Sequence, residues 1–244
     1  STLNMTNEGF LSNQKKLFSG ESTGALINLG TIRCLEGEVF LFGHQIENHG
    51  TIEVGGGEVG MVVGKEMIFF PPGQERVCVK VPIESQEGVE DIKKQSNPNA
   101  SIYSKAIKHT GRIDAKSIVK EGGRVFLRAE NAEVEVSGEI AADGGGVYLL
   151  GDHVVVKEPA YIDVSFQENG GEVCIGGGYK GNNPSLYNAL RTTVSPGVRI
   201  DASSRGSGDG GRVIIWSDQH THFAGDLSAR GGKEKGDGGF VEVS

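Results

Sequence analysis

The sequence is poor in the residues that mark several common protein classes. It has only three cysteines, Cys34, Cys78 and Cys174, at irregular spacing and without a Cys-x-x-Cys pair. A disulfide framework and a cysteine-ligated zinc site are therefore excluded, while one disulfide among the three thiols stays open. Prolines number seven and aromatic residues make up 7% of the chain, so the chain is not of low complexity and supplies few rings for stacking sugars.

Long apolar runs and excess positive charge are also missing. The longest apolar stretch, around 61–70, is interrupted by Lys65 and Glu66, so no segment approaches the roughly 18 to 20 apolar residues that span a bilayer. The first residues lack the basic and apolar pattern of a signal peptide. Lys and Arg number 24 against 32 Asp and Glu, for a net charge of −8. We therefore expect no nucleic-acid partner and no attraction to an anionic membrane surface.

Glycine, by contrast, is abundant. It accounts for 39 of 244 residues, more than twice the usual share of about 7%. Each glycine inside a helix would cost roughly 0.5–1 kcal/mol relative to alanine, which argues against a helical protein. With an ordinary apolar content of 36%, the composition favours many short strands joined by tight turns, with glycine supplying positive φ angles in those turns.

The glycines belong to an internal repeat. Residues 28–32 read Asn-Leu-Gly-Thr-Ile and residues 48–52 read Asn-His-Gly-Thr-Ile, and each copy is followed by Gly-Glu-Val, at 37–39 and 57–59. A third apolar centre lies between the copies at Ile46, so one period of 20 residues holds three short strands. Later copies of the apolar centre occur at Ile113, Ile140, Ile162, Ile200 and Leu227.

The repeat predicts an all-β fold, a parallel β-helix with three strands per coil and about eight coils. Within each copy the apolar positions alternate, so they face one side of a strand. One such unit cannot bury its inner face alone, whereas stacked units can, each pairing with the next at about 4.8 Å. An antiparallel sandwich is the alternative fold. It is disfavoured because Asp-Gly recurs at one fixed place, just before a Gly-x-Val strand, and not as hairpin turns.

We expect a single domain over 1–244 with two surface excursions. Residues 1–70 form the N-terminal coils, with an imperfect first coil within 1–24, and 109–244 form the C-terminal coils. The first excursion covers 71–108, where the repeat breaks at Pro-Pro-Gly and a charged stretch follows. The second covers 176–197, where either one or two helical turns or a loop fits the pattern.

Several segments resemble the filamentous haemagglutinin family. Residues 211–218, 221–232 and 236–244 carry the resemblance most specifically, the last reading Gly-Asp-Gly-Gly-Phe-Val-Glu-Val-Ser. Residues 28–46, 48–63 and 106–115 resemble the amino-terminal region of that family. The family's Asn-Pro-Asn motif occurs here at 97–99, inside the first excursion instead of near the start of the chain, followed by Ala100 and Ser101.

The resemblance implies a right-handed β-helix in a secreted or cell-surface exoprotein of Gram-negative-type bacteria. Such a protein is exported through a partner outer-membrane barrel, in two-partner secretion, and acts as an adhesin. The implied partners are a host or neighbouring-cell surface, through glycan or protein, and further copies or segments of the same exoprotein. We therefore expect a non-catalytic structural rod and adhesin, without cofactor. The uncapped last strand, which ends at Ser244, indicates a fragment of a longer rod.

Two alternative functions remain open. Parallel β-helices also carry glycan-acting lyases and hydrolases, and an outward acidic column of Asp114, Asp163 and Asp201 would serve such an enzyme. If the coils stack in register, Asp163 and Asp201 lie one rung, about 5 Å, apart, a spacing that suits a retaining glycosidase. The second alternative is a subunit that joins end to end through its strands into an extracellular filament.

Four further residues are candidates for surface contacts: Trp216, His220, His222 and Tyr187. Trp216 alternates with Ile215 and is expected to face outward, either as a binding anchor or beneath the excursion over 176–197. The two histidines flank a single residue and lie near Asp218, a pattern more typical of a polar corner than of a metal site. We predict no catalytic residue and no metal site.

Overall fold

The structure, a computed structural model, describes residues 3–11, 15–70, 77–81, 83, 105–115 and 123–244. The first half of the described chain contains α1 (Asn7–Leu11), β1 (Lys16–Ser19), β2 (Ala25–Asn28), β3 (Thr31–Cys34), β4 (Val39–Gly43), β5 (Gln45–Asn48), β6 (Thr51–Val54), β7 (Glu58–Val63), β8 (Glu66–Phe69), β9 (Val77–Val81), β10 (Lys105–His109) and β11 (Arg112–Asp114). The second half contains β12 (Arg124–Val136), β13 (Glu139–Ala141), β14 (Gly146–Val156), β15 (Tyr161–Asp163), β16 (Glu172–Ile175), a 3-10 turn (Tyr179–Gly181), β17 (Arg191–Val194), β18 (Arg199–Asp201), β19 (Arg212–Ile215), β20 (His220–Phe223), β21 (Asp226–Ser228) and β22 (Phe240–Val243).

The strands form three parallel ladders, and the prediction of a parallel β-helix with three strands per coil is confirmed. Ladder A consists of β3, β6, β11, β13, β15, β18 and β21. Ladder B consists of β4, β7, the first halves of β12 and β14, β16, β19 and β22. Ladder C consists of β2, β5, β10, the second halves of β12 and β14, β17 and β20. The chain visits ladders C, A and B in turn, so β2, β3 and β4 make up coil 1.

The interior is filled by columns of like side chains, one from each ladder. In ladder A the column Ile52, Ile113, Ile140 and Ile162 is fully buried, and the neighbouring rungs continue it with Ile32 and Ile200. Ladder B contributes valines, such as Val125 and Val147, and ladder C contributes Ile46 and Ile107. Burying each such side chain stabilises the fold by about 1.5–3 kcal/mol, and no single coil could do so alone.

The described residues form seven coils, as the seven-stranded ladder A shows, where the repeat suggests about eight. The difference lies at the start of the chain. Instead of an imperfect first coil, residues 7–11 form α1, and β1 joins β8 and β9 in a separate antiparallel sheet. Because β1 pairs with β8, its backbone groups find hydrogen-bond partners outside the three ladders of the β-helix.

Both excursions are narrower than the ranges expected from the broken repeat. Within 71–108, Val77–Val81 forms β9 of the antiparallel sheet, and Lys105–His109 already forms β10 of ladder C. Within 176–197, Arg191–Val194 forms β17 of ladder C, because Thr192 and Val194 alternate into the core and are fully buried. The Pro-Pro-Gly, the charged stretch and Asn-Pro-Asn at 97–99 lie outside the described residues.

Close approach of successive coils, and not turn conformation, explains the repeated glycine of Asn-x-Gly-Thr-Ile. Gly50 and Gly111 stack above Gly30 at one corner, where the Thr51 N–H donates to the Gly30 carbonyl and the Arg112 N–H to the Gly50 carbonyl, each at 2.9 Å. None of the three glycines has a positive φ. A Cβ placed on Gly50 or Gly111 would overlap the carbonyl oxygen of the preceding rung. Positive φ angles occur instead at glycines such as Gly144, in the turn before a strand of ladder B.

This corner yields a matched pair of substitutions. We expect Gly111→Ala to lower the free energy of unfolding by roughly 1–3 kcal/mol, because the added methyl forces two backbones apart. Gly30→Ala is the control, since a Cβ there meets nothing within 4 Å, and its effect should stay within about 0.5 kcal/mol. Urea unfolding followed by circular dichroism measures both variants. Equal losses in the two would contradict the close-approach explanation.

Candidate functional site

The predicted acidic column lies on the outer face of ladder A. Asp163 of β15 pairs directly with Asp201 of β18, so these two residues occupy adjacent rungs as expected from the repeat. Asp114 of β11 does not continue the column, because it pairs with Ala141, which in turn pairs with Asp163. The structure therefore brings Asp163 and Asp201 together. Asp114 lies two rungs from Asp163, with Ala141 between them.

Both adjacent carboxylates are occupied by local hydrogen bonds. Asp163 is buried, and its Oδ1 accepts from the Ser165 N–H at 3.0 Å and from the Ser165 hydroxyl. Its Oδ2 accepts from Nη2 of Arg205 at 2.8 Å. Asp201 repeats the first contact, since its Oδ1 accepts from the Ser203 N–H at 2.9 Å. An aspartate that accepts from the backbone two residues ahead closes a turn, so this arrangement explains the two residues as turn-forming.

The rest of the outer face of ladder A is charged and internally paired. Arg33 and Glu53, on adjacent rungs, form an ion pair of 2.5 Å, and this contact with Arg33 lowers the pKa of Glu53. Arg112 bridges Asp114 and Glu139, each at 3.1 Å. Because such exposed pairs are screened by water, they contribute little to stability. Their effect is to give this face a solvated surface with alternating charges.

The outer face of ladder B has an apolar column along its centre instead. From the first coil onward its central column runs Phe40, Gly60, Phe126, Tyr148, Cys174 and Ile214. The glycine at the second rung lets the rings of Phe40 and Phe126 approach to 5.8 Å between centroids. Burial raises the pKa of the Cys174 thiol to about 12, which keeps it protonated at neutral pH. Cys34, Cys78 and Cys174 are all free.

Two segments cover this apolar face, one at each half of the helix. The antiparallel sheet of β1, β8 and β9 covers the first half, where Met67, Val77 and Val79 pack on Phe42 and Phe126. The loop over 176–190 covers the second half, and its Leu186 packs on Leu150, Cys174 and Ile214. Tyr148 contacts both groups. The antiparallel sheet, of which only β9 lies in a predicted excursion, and the loop over 176–190 thus pack on one continuous outer stripe of the helix.

Trp216 lies beneath the second of these segments, on the outside of ladder B. Its ring packs against Gly177 and Gly181, where an added Cβ would come within 2.8 Å of ring atoms. The indole N–H donates to Oδ1 of Asp218 at 3.0 Å, and Asn188 of the loop donates to the same oxygen at 3.2 Å. The ring is therefore half-buried under the loop.

Tyr187 anchors the same loop to the helix and connects it to the first excursion. Its hydroxyl donates to Oδ1 of the buried Asp152 at 2.5 Å, and this oxygen also accepts from the Asn131 N–H at 3.0 Å. Burial and the bond to Asp152 raise the pKa of Tyr187. The Asn131 side chain in turn donates to the Ile83 carbonyl at 3.3 Å. One short chain of hydrogen bonds thus links the loop over 176–190 to Ile83, in the range predicted as the first excursion.

His220 and His222 lie apart from these contacts. Both are exposed on β20, where they pair with Arg191 and Thr193 of β17. Within the described ranges, no group of three or more His, Cys, Asp and Glu side chains is placed to hold a metal ion.

The helices of the described chain are all too short or too polar to cross a membrane.

One polar group inside the helix is not visible in the repeat of apolar centres. Asn28, Asn48 and His109 are 9%, 0% and 0% exposed and stack in ladder C. A signal for them exists, because each stands two residues before the corner glycine of its coil, at Gly30, Gly50 and Gly111. Reading the repeat by its glycines, and not only by its apolar centres, would have aligned the three.

Among solved structures, the chain is similar to a secretion domain. The chain is similar to the crystal structure of the HMW1 secretion domain from Haemophilus influenzae, with a TM-score of 0.68 and 25% identity, over 98% of this chain and 67% of that chain. A scan against protein-family models found no match, and a search of the curated proteins found none. The resemblance to the filamentous haemagglutinin family in particular therefore rests on the sequence motifs alone.

The Tyr187 contact gives a test of how the loop is held. Tyr187→Phe removes the hydrogen bond to a buried carboxylate, so we expect a loss of about 1–3 kcal/mol in the free energy of unfolding. Tyr179→Phe is the matched control, since Tyr179 lies in the same loop and is 40% exposed, and should change stability by no more than about 0.5 kcal/mol. Thermal unfolding measures both. If the two variants behave alike, the Asp152 contact does not hold the loop.

Proposed function

We propose that this chain is the secretion domain of a bacterial exoprotein that crosses the outer membrane through a partner barrel, in two-partner secretion. The observation that carries the proposal is the similarity to the HMW1 secretion domain over 98% of the chain. The segments that resemble the filamentous haemagglutinin family support the same class of protein. In this role the chain works through its fold as a whole and not through a catalytic centre.

The architecture suits a chain that folds after export. Every ladder strand pairs only with the coil before and the coil after it, so stability is close to a sum of neighbouring contacts. A polypeptide that emerges as an extended chain can therefore add coils one at a time, each new coil completing the interior of the last. The partner barrel then needs to pass only unfolded chain.

An export assay tests the proposal. A fusion is made in which a cleavable export signal precedes the chain and a reporter enzyme follows it, and it is expressed in the bacterium that encodes the chain. We expect reporter in the medium when the outer-membrane transporters of the two-partner class are intact and in the periplasm when they are deleted. A fusion without the chain is the control and should stay in the periplasm. Release from both strains, or retention in both, would contradict the proposal.

The exported protein acts, in this proposal, as a rod with an adhesive role and without catalysis. The contacts of Asp163 and Asp201 support the second point, because both oxygens of Asp163 and Oδ1 of Asp201 accept hydrogen bonds from Ser165, Arg205 and Ser203. The solvated, charge-paired face of ladder A and the loop that covers ladder B are the surfaces offered to a partner, either glycan or protein, on another cell.

A panel of immobilised glycans and cell-surface proteins separates adhesion from catalysis. We expect the chain to be retained on at least one surface and to release no sugar product from any. The control variant is Asp201→Asn, which keeps an oxygen for the Ser203 N–H. Product release that this substitution abolishes would overturn the non-catalytic assignment, and absence of retention on every surface would overturn the adhesive one.

A further inference from the structure

A polar column runs through the first coils at one inner corner of the helix. Asn28, Asn48 and His109 end the strands β2, β5 and β10 of ladder C and face the interior. The next rungs at the same position are Val136 and Val156. A polar group buried beside an apolar core is costly unless its hydrogen bonds are satisfied, so the column requires its own partners.

These partners form one chain of hydrogen bonds in which every donor points the same way. The Gly30 N–H donates to Oδ1 of Asn28 at 3.2 Å, and Nδ2 of Asn28 donates to Oδ1 of Asn48 at 2.7 Å. Nδ2 of Asn48 lies 3.1 Å from Nδ1 of His109, and Nε2 of His109 lies 3.1 Å from the Glu139 carbonyl. The carbonyl can only accept, so Nε2 carries the proton and Nδ1 accepts from Asn48.

A second proton on His109 would break this chain. It would have to sit on Nδ1, which faces the amide donor of Asn48. To accept from Nδ1, the Asn48 amide must reverse, and its donor would then face the donor of Asn28. Reversing Asn28 as well would place its Nδ2 against the Gly30 N–H. In every arrangement two donors meet or a buried bond is lost, so the neutral ring is the form that the column accommodates.

Several charged groups on the elements around His109 form ion pairs on the outer side of the helix, and Glu133 of β12 is buried. Glu47 and His49, at the end of β5, contact each other at 2.8 Å; Glu135 of β12 contacts Lys157 at 2.6 Å; Glu139 of β13 contacts Arg112 at 3.1 Å. Lys108 precedes His109 on β10 itself and is half-buried. Burial lowers the pKa of His109 to about 4, hydrogen bonds to the backbones of Glu139 and Asn48 oppose this, and the nearby His49 lowers it further.

We propose that the column of Asn28, Asn48 and His109 is an acid-sensitive latch, which holds the first four coils together only while His109 is neutral. The proposal goes beyond the secretion role and does not depend on it. Four coils take part, because the column begins at Gly30 in coil 1 and ends on the Glu139 carbonyl in coil 4. At neutral pH the latch stabilises this end of the rod, and in acid it opposes the stacking.

The direction of the pH effect follows from the two states of the ring. In the unfolded chain His109 titrates near 6.5, and in the folded chain near 4. Between these values the unfolded chain binds more protons, so stability falls as the pH drops from 6.5 towards 4 and is unaffected by His109 above that range.

The test compares the full chain with the His109→Asn variant. Asparagine at this position places Oδ1 where Nδ1 of His109 lies, so it can accept from Asn48 without a titrating group. Urea unfolding is measured at pH 7.5 and pH 4.5. We expect the parent's folded-to-unfolded ratio to fall by a factor on the order of 100 more than that of the variant. Equal losses in the two proteins would overturn the proposal.

A second measurement uses only the parent chain, so it stands even if the variant fails to fold. Ring nitrogen shifts from NMR report the tautomer and the titration of His109. We expect a neutral ring protonated at Nε2 at pH 6 and no titration until near pH 4. A ring that titrates near 6.5 would overturn the proposal.

Hydrogen exchange locates the effect. Between pH 7 and pH 5, exchange at the Gly30 amide, corrected for the intrinsic rate at each pH, should lose protection. The amide of Trp216, which bonds the Ile175 carbonyl at 2.9 Å in the distant coils, is the internal control and should lose less. Equal loss at both amides would show that the column does not control the first coils.

Discussion

The fixed spacing between hydrogen-bonded coils is the constraint on which the rest of this structure depends. Parallel strands in register place residue above residue at the ordinary inter-strand distance, so each position in a coil must suit the same position one rung away. At the corner of Asn-x-Gly-Thr-Ile the backbones come so close that only glycine fits at Gly50 and Gly111. In the interior the same spacing stacks Ile52 on Ile113 and Ile140, and it allows a neutral ladder such as Asn28 and Asn48, whose amides pair head to tail.

The same rule gives the outer faces opposite characters. On ladder A, unlike charges on adjacent rungs, such as Arg33 and Glu53, neutralise each other and leave the face solvated. On ladder B, rings stack on rings, and an apolar stripe of that length cannot stay in water. The antiparallel sheet and the loop over 176–190 cover it from the two ends and meet at Tyr148, and Tyr187 holds the loop to the ladder strands through Asp152 and Asn131. Segments outside the repeat thus cover the apolar stripe, which the repeating strands alone would leave exposed to water.

The period of the apolar residues was enough to predict the ladders, the interior columns and the adjacency of Asp163 and Asp201. It was not enough where pairing depends on segments far apart in sequence. The bond between Asn48 and His109 spans 61 residues, because an excursion separates two neighbouring coils, so the 20-residue period does not reveal it and only an alignment on the corner glycines would. Likewise β1 finds its partner β8 by edge pairing, and β17 begins inside a stretch whose pattern fits either one or two helical turns or a loop. Local composition predicts that a segment forms a strand, but it does not predict which other strand that segment pairs with.

The acidic column shows how far a periodic argument reaches towards function. The register of the strands alone places Asp163 beside Asp201. In both coils a serine follows two residues after the aspartate, Ser165 and Ser203. Each aspartate accepts a hydrogen bond from the backbone N–H of its own serine. An aspartate that recurs at a turn of successive coils is explained by its role in closing that turn. Its recurrence is therefore no sign that its carboxylate performs chemistry. For a rod made of such repeats, function is better sought in features that coil geometry does not require. The two covering segments and the single histidine in the asparagine column are features of that kind, and both are absent from the simple repeat.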